Sequence, residues 1–285
     1  MNAPVSRTLP VPGASLYYEV RGSGPALLLI PGGNGDAGPF ARLANELASS
    51  YTVISYDRRG YTRSPLDHPP VDRHRLRADV DDAHRLLDAV TEAPAHVFGS
   101  SSGAIVALDL LTRHPDQIQT LVAHEPPLAA LVPDTAVQLR LAQQVYDTYH
   151  GSGVDSAMRV FNAEMGMGPL LAPPAGAKLP PEVAEMLSRI HRNQEFWLEH
   201  ELRHYIRVVP DLKALQAVSG KLVLAGGADS RQYFPYRPNL TLADRLGRTV
   251  TDFPGGHIGY VTHPAPFAAL LTQLLAPVAT NPGAS

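Results

Sequence analysis

The chain has 285 residues and a formal net charge of −3, with 24 Lys and Arg against 27 Asp and Glu. This balance of charge argues against a nucleic-acid partner, and the absence of cysteine excludes disulfides, thiol catalysis and cysteine-ligated metals. The N-terminal segment has no apolar stretch of signal-peptide length, and no run reaches the ~18 apolar residues of a membrane span. We therefore expect a soluble, cytoplasmic protein without a membrane partner.

The first half of the chain alternates strand-like segments with segments of helical periodicity. Residues 15–30 predict a hairpin that leads into the apolar run ALLLI. The segments that follow are a helix at 39–50, a strand at 51–57, a helix at 73–90, a strand at 95–99, a helix at 102–115 and a strand at 120–125. Alternation of this kind predicts a parallel sheet covered by helices on both faces.

The alternation stops after Pro127, and residues 128–215 are mostly helical in period with no clear strand. Strands and helices resume with KLVLAGG at 221–227 and continue almost to the end of the chain. We therefore predict one α/β core domain, formed by residues 1–127 and 216–285. A helical cap or lid domain at 128–215 interrupts it.

The sequence GSSSG at 99–103 lies between a predicted strand and a predicted helix. The pattern G-x-S-x-G fits it in one register, with Gly99, Ser101 and Gly103. In this context the pattern is typical of a strained strand-to-helix turn that exposes a nucleophilic serine, although a lone serine there could simply cap the helix. Ser101 is therefore the candidate nucleophile.

A nucleophilic serine needs a base and an acid that orients the base. Of the twelve histidines, His257 alone follows a strand on a glycine-rich loop before the last helix, so it is the candidate base. Asp229 follows the strand before the last helix pair, and Glu125 ends the strand after the helix that follows the nucleophile. Either carboxylate could reach His257 from its strand end, so the pattern leaves the choice of acid open.

An oxyanion hole requires two N–H donors near the nucleophile. The backbone N–H of Ser102 is one candidate, because this residue begins the predicted helix. The other candidate is Gly33, in the loop PGGNGD, whose glycines permit close backbone approach. The only tryptophan, Trp197, is the candidate substrate-binding residue, while most other apolar residues of the insertion are expected to form the core of the cap.

Five strings resemble the α/β-hydrolase superfamily in order and over nearly the full length: LLLIPGG, ISYDRRGYTRS, GSSSG, LVLAGGAD and FPGGH. Within it, YYE, SSGA, HE followed by prolines, and PG-x-H with YV-x-HP are most similar to the zearalenone lactone hydrolases. The resemblance implies a mostly parallel eight-stranded sheet flanked by helices, with a helical cap after the sixth strand. It also implies Glu125 as the triad acid. One departure is Pro31, where members often have histidine.

Together, the residues and the resemblance predict a serine hydrolase that cleaves an ester or lactone bond of a small, largely apolar substrate through an acyl-enzyme. Two other functions would use the same constellation, namely hydrolysis of a C–C bond in a diketone-like substrate and ligand binding by a receptor on this fold. No metal and no organic cofactor is expected. The expected partner is the small-molecule ester or lactone substrate. The oligomeric state that we consider for the protein is a homodimer.

Overall fold

The computed structural model describes residues 4–167 and 178–276, which contain one eight-stranded sheet. The strands are β1 (Val5–Val11), β2 (Ala14–Arg21), β3 (Ala26–Ile30), β4 (Thr52–Tyr56), β5 (Ala95–Ser100), β6 (Ile118–His124), β7 (Leu222–Gly227) and β8 (Val250–Phe253). Their order in the sheet is β1-β2-β4-β3-β5-β6-β7-β8. Pairs β1–β2 and β2–β4 are antiparallel and the others are parallel, so the predicted mostly parallel sheet is confirmed.

Helices fill the connections between the strands. They are α1 (Ala41–Leu47), α2 (Arg75–Val90), α3 (Ser102–Arg113), α4 (Thr135–Ser152), α5 (Val154–Glu164), α6 (Pro181–His200), α7 (Leu202–Tyr205), α8 (Leu212–Ala217), α9 (Arg237–Leu246), α10 (Gly259–Thr262) and α11 (Pro264–Leu275). None of these helices is both long and apolar enough to cross a membrane.

The central strands are buried on both faces because helices cover each side of the sheet. Side chains alternate between the faces along a strand. In β3, Leu28 and Ile30 pack with residues of α2, α3, α8 and α9, while Leu27 and Leu29 pack with residues of α1, α10 and α11. This explains why β3 reads as a continuous apolar run rather than an alternating one.

The hairpin expected over 15–30 is wrong. The neighbours of β2 in the sheet are β1 and β4, whereas β3 lies between β4 and β5. The pattern hid β1 because most of its side chains are exposed and it contains Pro10. The chain leaves β2 through Gly22 at φ 75°, where a Cβ would overlap the carbonyl oxygens of Ala48 and Tyr51.

Helices α4 to α7 lie between β6 and β7. Apolar residues of α4, α5 and α6 pack in a shared cluster, which also takes in Tyr61 and Phe234 from the segments around the sheet. Leu215 of α8 instead joins the cluster on one face of the sheet. The division into a core of 1–127 and 216–285 and a cap of 128–215 stays a prediction, with α8 packing on the core side.

Candidate active site

The candidate catalytic residues all follow strands at one edge of the sheet. Ser101 directly follows β5 and Glu125 directly follows β6, while Asp229 and His257 lie shortly after β7 and β8. These four strands are parallel neighbours, so their carboxyl ends meet at the same edge, where open α/β sheets bind ligands. The topology therefore gathers residues that are far apart in sequence.

Ser101 occupies a sharp turn between β5 and α3. Its backbone has φ 56° and ψ −126°, a conformation that residues with a Cβ rarely adopt. The turn is held because the Ser101 N–H donates to the His124 carbonyl at 2.9 Å. The side chain thus stands at the N-terminus of α3, where free N–H groups and the helix dipole favour a developing negative charge.

Two glycines make this turn sterically feasible. A Cβ at Gly99 would lie 2.5 Å from the Gly103 carbonyl oxygen. A Cβ at Gly103 would overlap the carbonyl oxygens of Ile30 and Pro31. The G-x-S-x-G pattern therefore reflects the close approach of the first turn of α3 to the ends of β3 and β5.

His257 and Glu125 form a buried hydrogen-bonded pair. Nδ1 of His257 lies 2.5 Å from Oε2 of Glu125, and 6% of His257 is exposed. The other carboxylate oxygen accepts hydrogen bonds from the Gly227 N–H at 2.7 Å and from the Ser230 hydroxyl. Both oxygens of Glu125 are therefore engaged, and the imidazole is fixed through its Nδ1 side.

The contacts of Glu125 keep it ionised. Burial raises its pKa, but the hydrogen bond from His257, the nearby histidines and the Ser230 hydroxyl outweigh burial and lower the pKa to about 2. A charged carboxylate at this position stabilises the Nδ1–H tautomer of the imidazole and any positive charge that develops on the ring. The pair can therefore act as a base with its Nε2 side.

Asp229, the alternative acid, lies in a different setting. It is exposed, and its backbone N–H donates to the Gly255 carbonyl at 3.0 Å. Its chain neighbour Ser230 is the residue that turns inward to Glu125. The structure therefore brings Glu125, and not Asp229, into contact with Nδ1 of His257.

Both segments expected to supply the oxyanion donors adjoin Ser101. Ser102 is its chain neighbour and begins α3. On the loop after β3, a Cβ added to Gly32 would lie 2.9 Å from Cβ of Ser101, and Gly33 comes next. A Cβ at Gly33 would lie 2.5 Å from Nε1 of Trp197, so the indole rests on the backbone of this loop.

A cavity of about 40 Å³ opens onto Ser101. Besides Ser101 and Ser102, apolar and aromatic residues line it: Pro127, Phe161, Met165, Trp197, Leu202, Tyr205, Ile206, Phe234 and Pro235. Trp197 thus lies beside the candidate nucleophile. The volume is far below the ~300–1,000 Å³ of common ligand pockets, so a bulky ligand would require some of the lining side chains to move.

A larger hollow of about 380 Å³ lies elsewhere, around Gly247, Thr251 and Leu222. These residues are near the amino ends of β7 and β8, opposite the edge that carries Ser101. We place the site at the smaller cavity because the polar groups able to do chemistry converge there.

Sequence reasoning missed Ser230 and Arg58. Ser230 holds Glu125, and its only sequence signal is a hydroxyl next to Asp229 on the loop after β7. Arg58 is fully buried and contacts the Ser102 hydroxyl at 3.3 Å. Its signal is a pair of arginines that begins one residue after a buried strand. Within residues 4–167 and 178–276, no group of three or more His, Asp and Glu side chains is placed to hold a metal ion.

Comparison with known proteins shows similarity over nearly the whole chain. Residues 25–163 match a family described as having the alpha/beta hydrolase fold. The uncharacterized hydrolase YraK of Bacillus subtilis (strain 168) is 38% identical over 272 residues, which is 94% of this chain and 95% of YraK. The zearalenone hydrolase of Bionectria ochroleuca is 28% identical over 279 residues, 92% and 94% of the two chains. The crystal structure of the enol-lactonase from Burkholderia xenovorans LB400 has a TM-score of 0.70 at 17% identity, covering 94% of this chain and 99% of that one.

Proposed function

Because this chain belongs to the α/β-hydrolase family, we propose that it is a serine hydrolase that cleaves an ester or lactone bond. The observation that carries the proposal is the buried pair of His257 and Glu125 at the strand edge where Ser101 occupies a strained turn. A serine, a histidine and a carboxylate with these roles form the triad of acyl transfer. The relatives named as hydrolases support the same reaction class.

In the proposed first step, Ser101 Oγ attacks the substrate carbonyl and Nε2 of His257 takes its proton. Glu125 holds the imidazole in the tautomer with hydrogen on Nδ1 and stabilises the imidazolium. His257 then gives the proton to the leaving alcohol, and an acyl-enzyme on Ser101 remains. Water attacks this ester with His257 again as base, which releases the acid and restores Ser101.

The negative oxygen of each tetrahedral intermediate would be held by the backbone N–H groups of Gly33 and Ser102. A donor aimed at such an oxygen contributes about 3 kcal/mol in a comparable site. The N-terminus of α3 adds its dipole at the same place. No cofactor enters these steps.

We further propose that the substrate is small and largely apolar, with Trp197 in contact with it. The cavity beside Ser101 is lined almost wholly by apolar and aromatic side chains and is small. A lactone fits the chemistry of the site as well as an open ester does. The names of two similar proteins, a zearalenone hydrolase and an enol-lactonase, favour testing lactones first.

The first test is covalent labelling of the nucleophile. A fluorophosphonate should label Ser101 alone, as read by mass spectrometry of peptides, and Ser101→Ala should lose nearly all turnover while its circular dichroism stays that of the parent protein. Labelling of Ser100 or Ser102 in place of Ser101 would contradict the choice of nucleophile. A Ser101→Ala variant with parental turnover would contradict the proposed function.

Product analysis then separates the reaction classes. Aryl esters and macrolactones are supplied to the enzyme, and the products are identified from their masses by mass spectrometry. An acid and an alcohol, or one hydroxy acid from a lactone, support the proposal. Cleavage of a carbon–carbon bond would replace it with the diketone reaction, and a single burst of product without turnover would indicate a receptor.

A further inference from the structure

A buried charged cluster joins the helical insertion to both segments of the proposed oxyanion hole. Its centre is Arg58, which follows β4 and is 0% exposed. Nη1 of Arg58 lies 3.3 Å from the Ser102 hydroxyl oxygen and 3.4 Å from the Gly32 carbonyl oxygen. It also donates to Oε1 of Glu201, between α6 and α7, at 2.9 Å. One nitrogen thus reaches the segment of each proposed oxyanion donor.

The charges in the cluster are closely matched. Nη2 of Arg58 donates to Oδ2 of Asp79 at 2.8 Å. Nε of Arg75 lies 3.8 Å from the same oxygen, and Nη2 of Arg75 lies 3.4 Å from Oε2 of Glu201. The Tyr61 hydroxyl donates to Oε2 of Glu201 at 2.6 Å. Burial opposes the charge on Arg58, but the two carboxylates outweigh it and raise the pKa of the guanidinium further. Arg58 therefore stays cationic in the core.

Stability alone does not account for such a cluster. Taking ions out of water costs several kcal/mol for each, and apolar replacements of buried ion pairs are often as stable or more stable. Among the described residues, Nε of Arg58 and Oδ1 of Asp79 have no hydrogen-bond partner, so the cluster is incompletely satisfied. A role in placing other groups explains why the charged nitrogen faces the nucleophile's turn.

The insertion contacts the loop that carries Gly32 and Gly33 in two ways, and both contacts start from the same helical turn. The Glu201 N–H donates to the Trp197 carbonyl at 2.9 Å. Trp197 lies directly on Gly33, whereas Glu201 reaches Gly32 through Arg58. Any displacement of the end of α6 would therefore also displace the segments that carry both proposed donors.

We propose that Arg58 is a positioning residue that fixes the two backbone donors of the oxyanion hole, and that Glu201 makes this placement depend on docking of the cap. The proposal rests on the serine-hydrolase function proposed above. Displacing reacting groups by ~1 Å costs ~10²-fold in rate. Loss of the positioning contacts therefore lowers kcat, while KM for an apolar substrate changes little.

The test uses three variants, so that it survives if one fails to fold. Arg58→Lys keeps the charge but cannot span Asp79, Glu201 and the oxyanion segments together. Glu201→Gln keeps an acceptor but removes the charge, and Ser102→Ala removes the hydroxyl while keeping the N–H. Active sites are counted by fluorophosphonate titration, so kcat refers to folded enzyme. We expect kcat to fall ~10–100-fold in Arg58→Lys and Glu201→Gln, and less in Ser102→Ala.

An inhibitor distinguishes positioning from a merely structural role. Affinity for a trifluoromethyl ketone, whose adduct with Ser101 carries an oxyanion, should fall in parallel with kcat/KM, while affinity for the product acid should stay within about threefold. The matched control is Asp82→Asn, which removes the carboxylate charge from the neighbouring, partly buried Arg59–Asp82 pair. It should lower the free energy of unfolding and leave kcat per titrated site unchanged.

The outcomes separate the two proposals. If titrated sites of Arg58→Lys and Glu201→Gln turn over at the parental rate, the cluster is structural and the positioning role is overturned. The positioning role is overturned as well if the ketone and the product acid lose affinity equally. If Ser101 is not labelled in the parent enzyme, the proposed function itself fails.

Discussion

Ser101 and Glu125 both have a positive φ, which is rare for residues with a side chain. In the described parts of the chain they are the two non-glycine residues with positive φ, at 56° and 52°. Such conformations cost ~1–3 kcal/mol each and persist where neighbours hold them. Each residue is held by the next strand in the sheet, because the Ser101 N–H donates to the His124 carbonyl in β6 and the Glu125 N–H donates to the Ala225 carbonyl in β7. The strain thus falls on the proposed nucleophile and the proposed acid.

The identity of the acid is tested by two amide variants. In Glu125→Gln the side-chain amide would present N–H to Nδ1 of His257 and favour the wrong tautomer, so kcat should fall by up to ~10⁴. In Asp229→Asn the exposed side chain changes without touching His257, and kcat should stay within about threefold. Initial rates per titrated active site measure both, with circular dichroism as the check of folding. A severe loss in Asp229→Asn together with a normal Glu125→Gln would reverse the assignment.

His124 should make stability depend on pH. Its ring is fully buried near Phe98, Phe253 and Phe267. Burial lowers its pKa to about 4, although the charge of Glu125 opposes the shift. In the unfolded chain His124 binds a proton near pH 6.5, whereas in the folded chain it binds one only near pH 4. The neutral ring therefore stabilises the fold fully above pH 6.5, and this contribution is lost as the pH falls from 6.5 to 4.

The variant His124→Phe removes this term and keeps an aromatic ring. Relative to the parent, its free energy of unfolding should improve by roughly 3 kcal/mol between pH 7 and pH 4, at 1.36 kcal/mol for each pKa unit. Urea titrations at a series of pH values give the difference in the free energy of unfolding between the variant and the parent. The contributions of titrating groups that both proteins contain cancel in this difference. The difference should stay constant from pH 7 to 8. A constant difference down to pH 4 would mean that His124 titrates alike in both states.

At the scale of elements, the join between β5 and α3 has no room for a side chain at Gly103. A methyl group at Gly103 would overlap the carbonyl oxygens of Ile30 and Pro31, so the end of β3 or the start of α3 must move. Gly103→Ala should therefore lower the free energy of unfolding by ~1–3 kcal/mol or more. It should lower kcat as well, because the turn at Ser101 shifts.

Gly151→Ala is the matched control. Gly151 is exposed in α4, and a Cβ there would meet nothing within 4 Å. Alanine favours the helix over glycine, so this variant should be neutral or more stable by up to ~1 kcal/mol with unchanged kcat. Urea denaturation measures both variants. Equal stabilities of the two would show that the fold accommodates a side chain at Gly103.

The sequence predicted those elements whose signal is local. The run ALLLI and the G-x-S-x-G pattern report burial and steric crowding within a few residues, and β3 and the turn at Ser101 appear where expected. The hairpin of β1 and β2 was missed because most side chains of β1 are exposed and show no alternation. The pairing of β2 with β4 was missed because the two strands are distant in sequence. Ser230 and Arg58 were missed for a similar reason, since their partners Glu125 and Glu201 lie more than a hundred positions away. Local pattern also left the acid open, because only the fold shows that Glu125 is buried against His257 while Asp229 is exposed.

At the scale of the whole molecule, Trp197 offers a single optical probe of how the proposed cap packs on the core. It is the one tryptophan in the chain, 6% exposed, and it rests on Gly33 across the boundary between α6 and the core. Because a buried charged cluster ties α6 to the core beside it, we expect the two parts to unfold together. Tryptophan emission and far-UV circular dichroism should then give the same urea midpoint.

Disagreement between the two signals would contradict this expectation. A red shift of the tryptophan emission at lower urea than the loss of circular dichroism would mean that the cap undocks before the core unfolds. The same titration on Glu201→Gln serves as the comparison, because this variant weakens the tie to Arg58 and should separate the two transitions.

The position of the insertion between β6 and β7 has a consequence for biosynthesis. Ser101 and its turn depend on β3, β5, α3 and the end of β6, all of which precede the insertion in the chain. The groups that hold Glu125, namely Gly227, Ser230 and His257, are translated only after the whole insertion. A nascent chain can therefore carry a shaped serine turn without the base that activates it. Hydrolytic competence would arrive only after β7 and β8 have joined the sheet and His257 has followed them.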